Sequence, residues 1–348
     1  MIMRKLCVLL SLLVAAGCMP IHAAAAQGGV QLPILMYHSV LKDPKRTGLY
    51  VVTPDRLRED LLYLKAKGYS TVTAADLMAY VQGGTLPEKP VMITFDDGHY
   101  NNLTYALPLL RELDMKAVIS VVGRYTKEYS DHPDPNPNYA YLSWTDVSAL
   151  TDSGHVEIGS HSFDMHRQSP RMGSDRMRGE DEASYRAAFL ADTRRLQDML
   201  EEKCGFLPIV YAYPFGAVGR GTADMLRELG FACSLTCREK VNRIRRDPDS
   251  LFSLGRFNRP GDVTTEAFME KLGVAISKTA DIIVHNDSKA VMERVDGAGP
   301  FREHPAGGRM RRTPSEVHSG AASLNLSRGR RVRPIQRPRR SVRPCGAA

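Results

Sequence analysis

Two adjacent carboxylates, Asp96 and Asp97, follow an apolar run of five residues that begins at Val91. A run of β-formers of this length predicts a strand buried on both faces, and α/β folds carry their chemistry at the carboxyl ends of such strands. Neighbouring carboxylates repel each other and are costly to desolvate together, so the pair indicates a bound cation. We therefore expect a metal site at the end of this strand.

Histidines follow two other predicted strands. His38 comes after the apolar segment 33–37, and His161 comes after the segment 156–160, with His166 five residues further on. Because parallel strands bring their carboxyl ends to one face, we expect these imidazoles to lie near the carboxylate pair. Two neutral imidazoles and one carboxylate suit zinc or another divalent first-row metal and leave positions for water and substrate, as in a hydrolase.

The five-residue spacing of His161 and His166 is incompatible with regular structure. On a strand the two side chains would face opposite sides, and on a helix they would lie about 140° apart. The segment between them must therefore bend if both histidines are ligands. A single histidine here would more often be a packing or capping residue, but two of them beside a carboxylate pair favour a metal site.

Predicted strands and helices alternate along the chain, which is typical of a parallel sheet with helical crossovers, either open or closed into a barrel. We expect a loop rich in Pro, Asn and Asp over residues 126–139, and one domain over residues 31–285. The predicted strands cover residues 33–37, 69–72, 91–95, 117–122, 156–160, 209–213 and 232–235.

The amino-terminal segment, residues 1–26, has the pattern of a secretory signal. Basic Arg4 and Lys5 precede a largely apolar run of eleven residues, and small residues up to Ala26 follow, which predicts cleavage near that position. A run of eleven residues is too short to span a bilayer. The residues before Cys18 also approximate a bacterial lipoprotein signal. We expect a secreted or otherwise extracytoplasmic protein, with lipid attachment of Cys18 to a membrane as an equal alternative.

The formal net charge of +8 arises from residues 286–348, which hold 14 basic and 5 acidic residues. Of the 14 basic residues, 13 are Arg, and the segment is rich in Gly, Pro and Ser without apolar periodicity, which predicts disorder. A basic arm that binds anionic wall polymer or nucleic acid is one interpretation. A solvated tail or an out-of-frame reading of the gene is the preferred one, so no nucleic-acid partner is expected.

Three motifs resemble those of the polysaccharide deacetylases of the NodB-homology type, carbohydrate esterase family 4. The segment TFDDG at 94–98 is similar to the first motif, and the segment 161–166 is similar to the second, with the spacing of the branch that deacetylates poly-N-acetylglucosamine. The segment 211–216 resembles the third, although Tyr211 stands about where many members carry an Arg that steadies the catalytic Asp. The resemblance implies a distorted (β/α) barrel with about seven parallel strands in a single domain.

The resemblance also implies roles for the site residues. Asp97, His161 and His166 would hold a divalent metal, with zinc first and nickel, cobalt or iron as alternatives. Asp96 would be the general base, and Pro214 and Phe215 would contact the substrate, with the backbone N–H of Phe215 facing the oxyanion.

Two histidines compete for the role of the acid that protonates the leaving amine. His285 has the usual position late in the chain, whereas His38 follows an equivalent strand at the amino end, as a circularly permuted domain would require. We favour His38. Arg256 would supply the missing Arg, although a structural or solvated role fits it equally well.

The implied activity is removal of N-acetyl groups from N-acetylglucosamine units of an extracellular or cell-wall polysaccharide, with release of acetate, by a monomeric enzyme. An inactive carbohydrate-binding relative is one alternative, although none of the expected ligands is missing from the sequence. A metal-dependent phosphoesterase would need more carboxylate ligands than these strand ends offer. A binder of wall polymer or nucleic acid that acts through the basic tail is the remaining alternative.

Overall fold

A curved parallel β-sheet forms the centre of the structure, a computed structural model that describes residues 29–273. The predicted signal with Cys18, the second candidate acid His285 and the basic tail lie outside the described residues. The described residues all belong to one compact unit. Among them, no helix is both long enough and apolar enough to cross a membrane.

The main sheet has the strand order β10-β9-β8-β7-β6-β2-β12, with β5 paired to the start of β6, and all of these pairs are parallel. A parallel backbone bridge between Leu235 at the end of β10 and Leu254 before β12 brings the two edges together. The predicted fold class, a distorted barrel of about seven parallel strands, is confirmed. The strands are β1 (Val30–Leu32), β2 (Ile34–Tyr37), β3 (Ser39–Val40), β4 (Val51–Val52), β5 (Ser70–Thr71), β6 (Pro90–Phe95), β7 (Ala117–Val121), β8 (Val156–Ser160), β9 (Val210–Ala212), β10 (Cys233–Leu235), β11 (Asn242–Ile244) and β12 (Phe257–Asn258).

Helices surround the sheet, and their ends follow local sequence signals. Thr53 caps the first helix by accepting a hydrogen bond from the Arg56 backbone N–H, and Asp181 caps the longest helix, which ends at Gly205 with a φ of 78°. The helices are α1 (Pro54–Ala66), α2 (Ala74–Val81), α3 (Leu107–Leu113, preceded by a π-helical turn at Asn102–Ala106), α4 (Gly123–Asp131), α5 (Trp144–Asp152), α6 (Glu182–Cys204), α7 (Thr222–Glu228) and α8 (residues 265–273).

The loop predicted over residues 126–139 is wrong in its first half, because α4 extends to Asp131. This helix is largely polar, so few apolar residues mark it in the sequence. Its contact with the barrel is made by small residues, since Gly123 and Thr126 are buried. The irregular, proline-rich segment begins only at His132.

Side chains along β6 alternate between the interior of the barrel and the surrounding helices. Met92 packs in the interior cluster with residues of β7, β9 and β10, whereas Val91, Ile93 and Phe95 pack against the helices. Because successive side chains of a strand point to opposite faces, Thr94 and Asp96 also face inward. The first carboxylate of the pair therefore points into the mouth of the barrel.

Candidate active site

The two adjacent carboxylates point in different directions because the chain turns sharply between them. The Asp96 N–H donates to the Tyr37 carbonyl over 3.0 Å, which continues the strand pairing by one residue. Asp97 and Gly98 then adopt left-handed φ angles of 73° and 71°. A Cβ on Gly98 would lie 2.9 Å from a methyl group of Val121, so only glycine fits this turn. Asp97 thereby lies beside the histidines that follow β8, with its side chain 17% exposed.

Asp97 meets two histidines at the carboxyl end of β8. Its Oδ1 lies 3.1 Å from Nε2 of His166 and 3.6 Å from Nε2 of His161, and the ligand atoms of the three residues lie within 4.8 Å of one another. A tetrahedral ion with bonds of about 2.0–2.1 Å holds its ligands roughly 3.3 Å apart. The spacing of these atoms therefore fits one divalent first-row metal.

The protonation states of the triad also fit a metal. Nδ1 of His161 lies 2.8 Å from the Ala212 carbonyl, so the proton on Nδ1 is donated there and Nε2 keeps its lone pair. Burial lowers the pKa of His161 to about 4, which keeps the ring neutral. Burial would raise the pKa of Asp97, but hydrogen bonds from His166 and His99 and the charges of nearby histidines hold it well below its ordinary value.

The predicted bend between His161 and His166 is confirmed. Ser162 has a φ of 69°, and its hydroxyl accepts a hydrogen bond from the Met165 N–H. Asp192 on α6 accepts hydrogen bonds from the backbone N–H groups of residues 163 and 164, over 2.9 and 2.8 Å. A carboxylate on a long helix therefore fixes the turn that brings the second histidine back to the first.

Asp96 is held by an arginine on the opposite wall of the barrel. Arg256 donates from Nη1 to Oδ1 and from Nη2 to Oδ2, both over 2.7 Å, and from Nε to the Thr236 carbonyl over 3.0 Å. The side chains of the pair are 0% and 3% exposed. Burial would raise the pKa of Asp96, but the charge and hydrogen bonds of Arg256, together with the charges of His161 and His38, outweigh burial and lower the pKa. Asp96 is therefore a fixed, ionised carboxylate.

Tyr211 stands where many members of the family carry an Arg, and here Arg256 makes the contact with Asp96 instead. The Tyr211 hydroxyl lies 2.7 Å from Oγ of Ser174, and its ring packs on Phe189 and Phe231. The Tyr211 side chain packs under α6 and makes no contact with Asp96. Of the two interpretations considered for Arg256, the contacts favour support of the carboxylate.

His38 follows β2, the neighbour of β6 in the sheet. Its ring packs on Tyr50 with 4.7 Å between centroids, and its Nδ1 is buried without a hydrogen-bond partner among the described residues. Burial lowers the pKa of His38, whereas the charges of Asp97 and Asp96 act in the opposite direction. His38 thus lies within the electrostatic reach of both carboxylates. The competing His285 lies outside the described residues.

The turn after β9 covers the second histidine of the triad. Phe215 follows Pro214 with a left-handed φ of 57°, and its ring stacks on His166 with 4.6 Å between centroids. The ring is 40% exposed, so it forms part of the rim of the site. The structure thus places the proposed ligands, base, acid and rim residues, apart from His285, at the carboxyl ends of β2, β6, β8 and β9, whereas Arg256 lies directly before β12.

Sequence analysis missed three residues at this site: His99, Tyr50 and Asp192. Nε2 of His99 lies 3.4 Å from Oδ2 of Asp97. The only available signal was its position two residues after a predicted ligand. The roles of Tyr50 and Asp192 depend on contacts between distant segments, for which the sequence carries no local pattern.

Fold and site together define a (β/α)-barrel protein with a candidate divalent-metal centre at the carboxyl ends of its strands. Residues 83–234 match the family model described as polysaccharide deacetylase. The resemblance to polysaccharide deacetylases found in the motifs is therefore confirmed over this part of the chain.

Relatives and solved structures agree with this assignment. The poly-beta-1,6-N-acetyl-D-glucosamine N-deacetylase of Escherichia coli K12 is 25% identical over 273 residues, which cover 73% of this chain and 40% of that protein. IcaB from Ammonifex degensii superposes with a TM-score of 0.57 at 26% identity, covering 72% of this chain and 98% of that one. A de-N-acetylase from Aggregatibacter actinomycetemcomitans shares the fold, with a TM-score of 0.60 at 21% identity and coverages of 69% and 99%. The chain spans about 40% of the length of the E. coli relative.

Proposed function

We propose that this protein is a metal-dependent N-deacetylase that removes acetyl groups from N-acetylglucosamine units of an extracellular polysaccharide. The observation that carries the proposal is the cluster of Asp97, His161 and His166 beside the Asp96–Arg256 pair. Poly-β-1,6-N-acetylglucosamine is the first candidate substrate, because the E. coli relative is named for its action on it. Peptidoglycan and chito-oligosaccharides carry the same N-acetyl group and are the alternatives.

The triad would hold one divalent cation through Oδ1 of Asp97 and Nε2 of the two histidines. Zinc is the first choice for this ligand set, with nickel, cobalt or iron as alternatives. When bound, the cation supplies Lewis acidity that polarises the acetamide carbonyl and makes the attacking water easier to deprotonate.

Asp96 is the proposed general base. It is ionised because Arg256 and the neighbouring histidines together outweigh the effect of burial on its pKa, and it is immobile because Arg256 holds both of its oxygens. A carboxylate fixed in this way can take the proton of a water molecule at the carbonyl without first losing conformational freedom. The backbone N–H of Phe215 is the proposed donor to the oxyanion, a contribution of roughly 3 kcal/mol per donor in other hydrolases.

His38 is the proposed acid. An amide nitrogen leaves only when it is protonated, so a proton donor must lie opposite the base. His38 stands at the end of the strand next to that of Asp96 and lies near both carboxylates. Burial lowers the pKa of His38, and the charges of Asp97 and Asp96 partly offset this effect and so help the ring to carry the proton it donates. Proton transfer from the ring to the departing nitrogen gives a free amino sugar, and acetate is the second product.

The proposed function requires that the enzyme is exported, because the polymer lies outside the cytoplasm. A cleaved signal and a lipid on Cys18 are the two routes by which the enzyme would reach its substrate, and we expect it to act as a monomer. Of the competing functions, a two-metal phosphoesterase is disfavoured because residues 29–273 contain a single group of metal-ligating side chains.

The test is acetate release by the purified protein from poly-β-1,6-N-acetylglucosamine, peptidoglycan and chito-oligosaccharides, with Asp96→Asn as the matched control. We expect release from the first polymer and a loss of at least 100-fold in the variant. Binding of a polymer without acetate release from any substrate would identify an inactive carbohydrate-binding relative and refute the proposal.

A further inference from the structure

A third histidine, His99, approaches the carboxylate of Asp97 from the side opposite to the other two. Its Nε2 lies 3.4 Å from Oδ2, whereas His161 and His166 approach Oδ1. The two oxygens of this carboxylate therefore have different partners. His99 is also absent from the group of side chains whose ligand atoms lie within 4.8 Å of one another, so it stands outside the triad.

The position of His99 is fixed from two directions. Along the chain, it follows the left-handed pair Asp97–Gly98, which turns its ring back toward the carboxylate. Across the chain, its ring stacks on Tyr141 with 4.9 Å between centroids and an angle of 24°, and the backbones of the two residues form an antiparallel bridge. Hydrogen bonds from the Tyr100 N–H to the Ala140 carbonyl and from the Leu142 N–H to the Gly98 carbonyl, both over 2.9 Å, flank this bridge.

Tyr141 is in turn supported by α4. Its ring lies 4.4 Å from that of Tyr125 and 5.7 Å from that of Tyr129, measured between centroids. The ring of His99 is thus clamped by an aromatic cluster, and its side chain is only 19% exposed.

We propose that His99 is a positioning residue for the metal site: it donates its Nε2–H to Oδ2 of Asp97 and so leaves Oδ1 as the single metal-binding oxygen. The inference rests on the proposed function for its metal, but it concerns the orientation of the ligand and not the chemistry. A carboxylate that is free to rotate could present either oxygen or both, and each alternative changes the coordination. Partners of this kind typically change metal affinity by 10–100-fold.

The test is the zinc affinity of the metal-stripped protein, measured by competition with a chromogenic chelator in the absence of substrate. We expect His99→Ala to weaken zinc binding by 10–100-fold. His99→Gln keeps an N–H donor and should recover much of the lost affinity. His132→Ala, at an exposed histidine that ends α4, is the matched control and should bind zinc like the wild type. Far-UV circular dichroism establishes that each variant is folded.

Equal zinc affinity in His99→Ala and wild type would overturn the inference. If the variant then also had a raised KM for the polymer, His99 would be a substrate contact. A wild-type protein that binds zinc in a His99-dependent manner but releases no acetate would refute the proposed function and support the positioning role.

Discussion

Replacing Arg256 by Met should damage both stability and turnover, because it leaves the Asp96 carboxylate buried without its partner. The side chains of the pair are 0% and 3% exposed, and breaking such a pair from one side costs about 3–5 kcal/mol. The Thr236 carbonyl also loses its hydrogen bond from Nε, which adds about 1 kcal/mol. We expect a total loss of roughly 4–6 kcal/mol in the free energy of unfolding.

The same substitution should change the pH dependence of the reaction. Burial raises the pKa of Asp96, and the charge of Arg256 is the first of the effects that oppose it. Without Arg256 the pKa of the base should rise, so the acidic limb of kcat/KM should move to higher pH, and turnover should fall at least 100-fold.

A double-mutant cycle measures the interaction energy between Arg256 and Asp96. Arg256→Met with Asp96→Asn removes both charges, so the double variant should be more stable than the sum of the two single losses predicts, by at least 2 kcal/mol. The assay is urea unfolding of the metal-free proteins, together with acetate release across pH. The reasoning is refuted if Arg256→Met costs less than 1 kcal/mol and keeps its turnover, or if the losses of the two single variants simply add.

Three further predictions concern the acid, the buried histidines and the bend. His38→Ala should lose acetate release while keeping zinc, whereas His285→Ala should remain active; an active His38→Ala would refute the permuted assignment of the acid. The metal-free protein should lose stability as pH falls, since His161 has a pKa near 4 in the folded state against 6.5 for a free histidine, and only the unfolded chain takes up a proton between these values. Protonation of His161 should cost about 3 kcal/mol of the free energy of unfolding by pH 4, and the lowered pKa of His38 adds a loss in the same direction. Urea midpoints that stay constant between pH 6.5 and 4.5 would contradict this prediction. Asp192→Ala removes the acceptor of two backbone N–H groups and should weaken zinc binding because His166 is then less firmly positioned. Asp198→Ala on the same helix is the control, and equal zinc affinity in the two variants would show that the bend does not depend on Asp192.

The parts of this site that follow strand ends could be predicted from the sequence. An apolar run fixes where a strand ends, and the side chains after it lie at the mouth of a parallel barrel whatever the distance between them along the chain. Asp97, His161 and His166 were brought together in this way. Their spacing also required the bend that Ser162 provides.

The supporting residues could not be predicted in the same way. Arg256 lies 160 residues from Asp96 and reaches it only because the barrel closes between Leu235 and Leu254. His99 depends on its pairing with Tyr141, and that segment gives no strand pattern. The pair β1 and β11 and the edge strand β12 are two or three residues long, too short for an alternating pattern to be recognised.

The most direct test of the central claim compares Asp97→Ala with Asp96→Asn in two assays, zinc content after dialysis and acetate release from poly-β-1,6-N-acetylglucosamine. The assignment of Asp97 to the metal and Asp96 to the water predicts that Asp97→Ala loses zinc and activity together, whereas Asp96→Asn keeps about one zinc per chain and loses turnover at least 100-fold. Near-normal acetate release by Asp96→Asn, or full zinc content in Asp97→Ala, would contradict it.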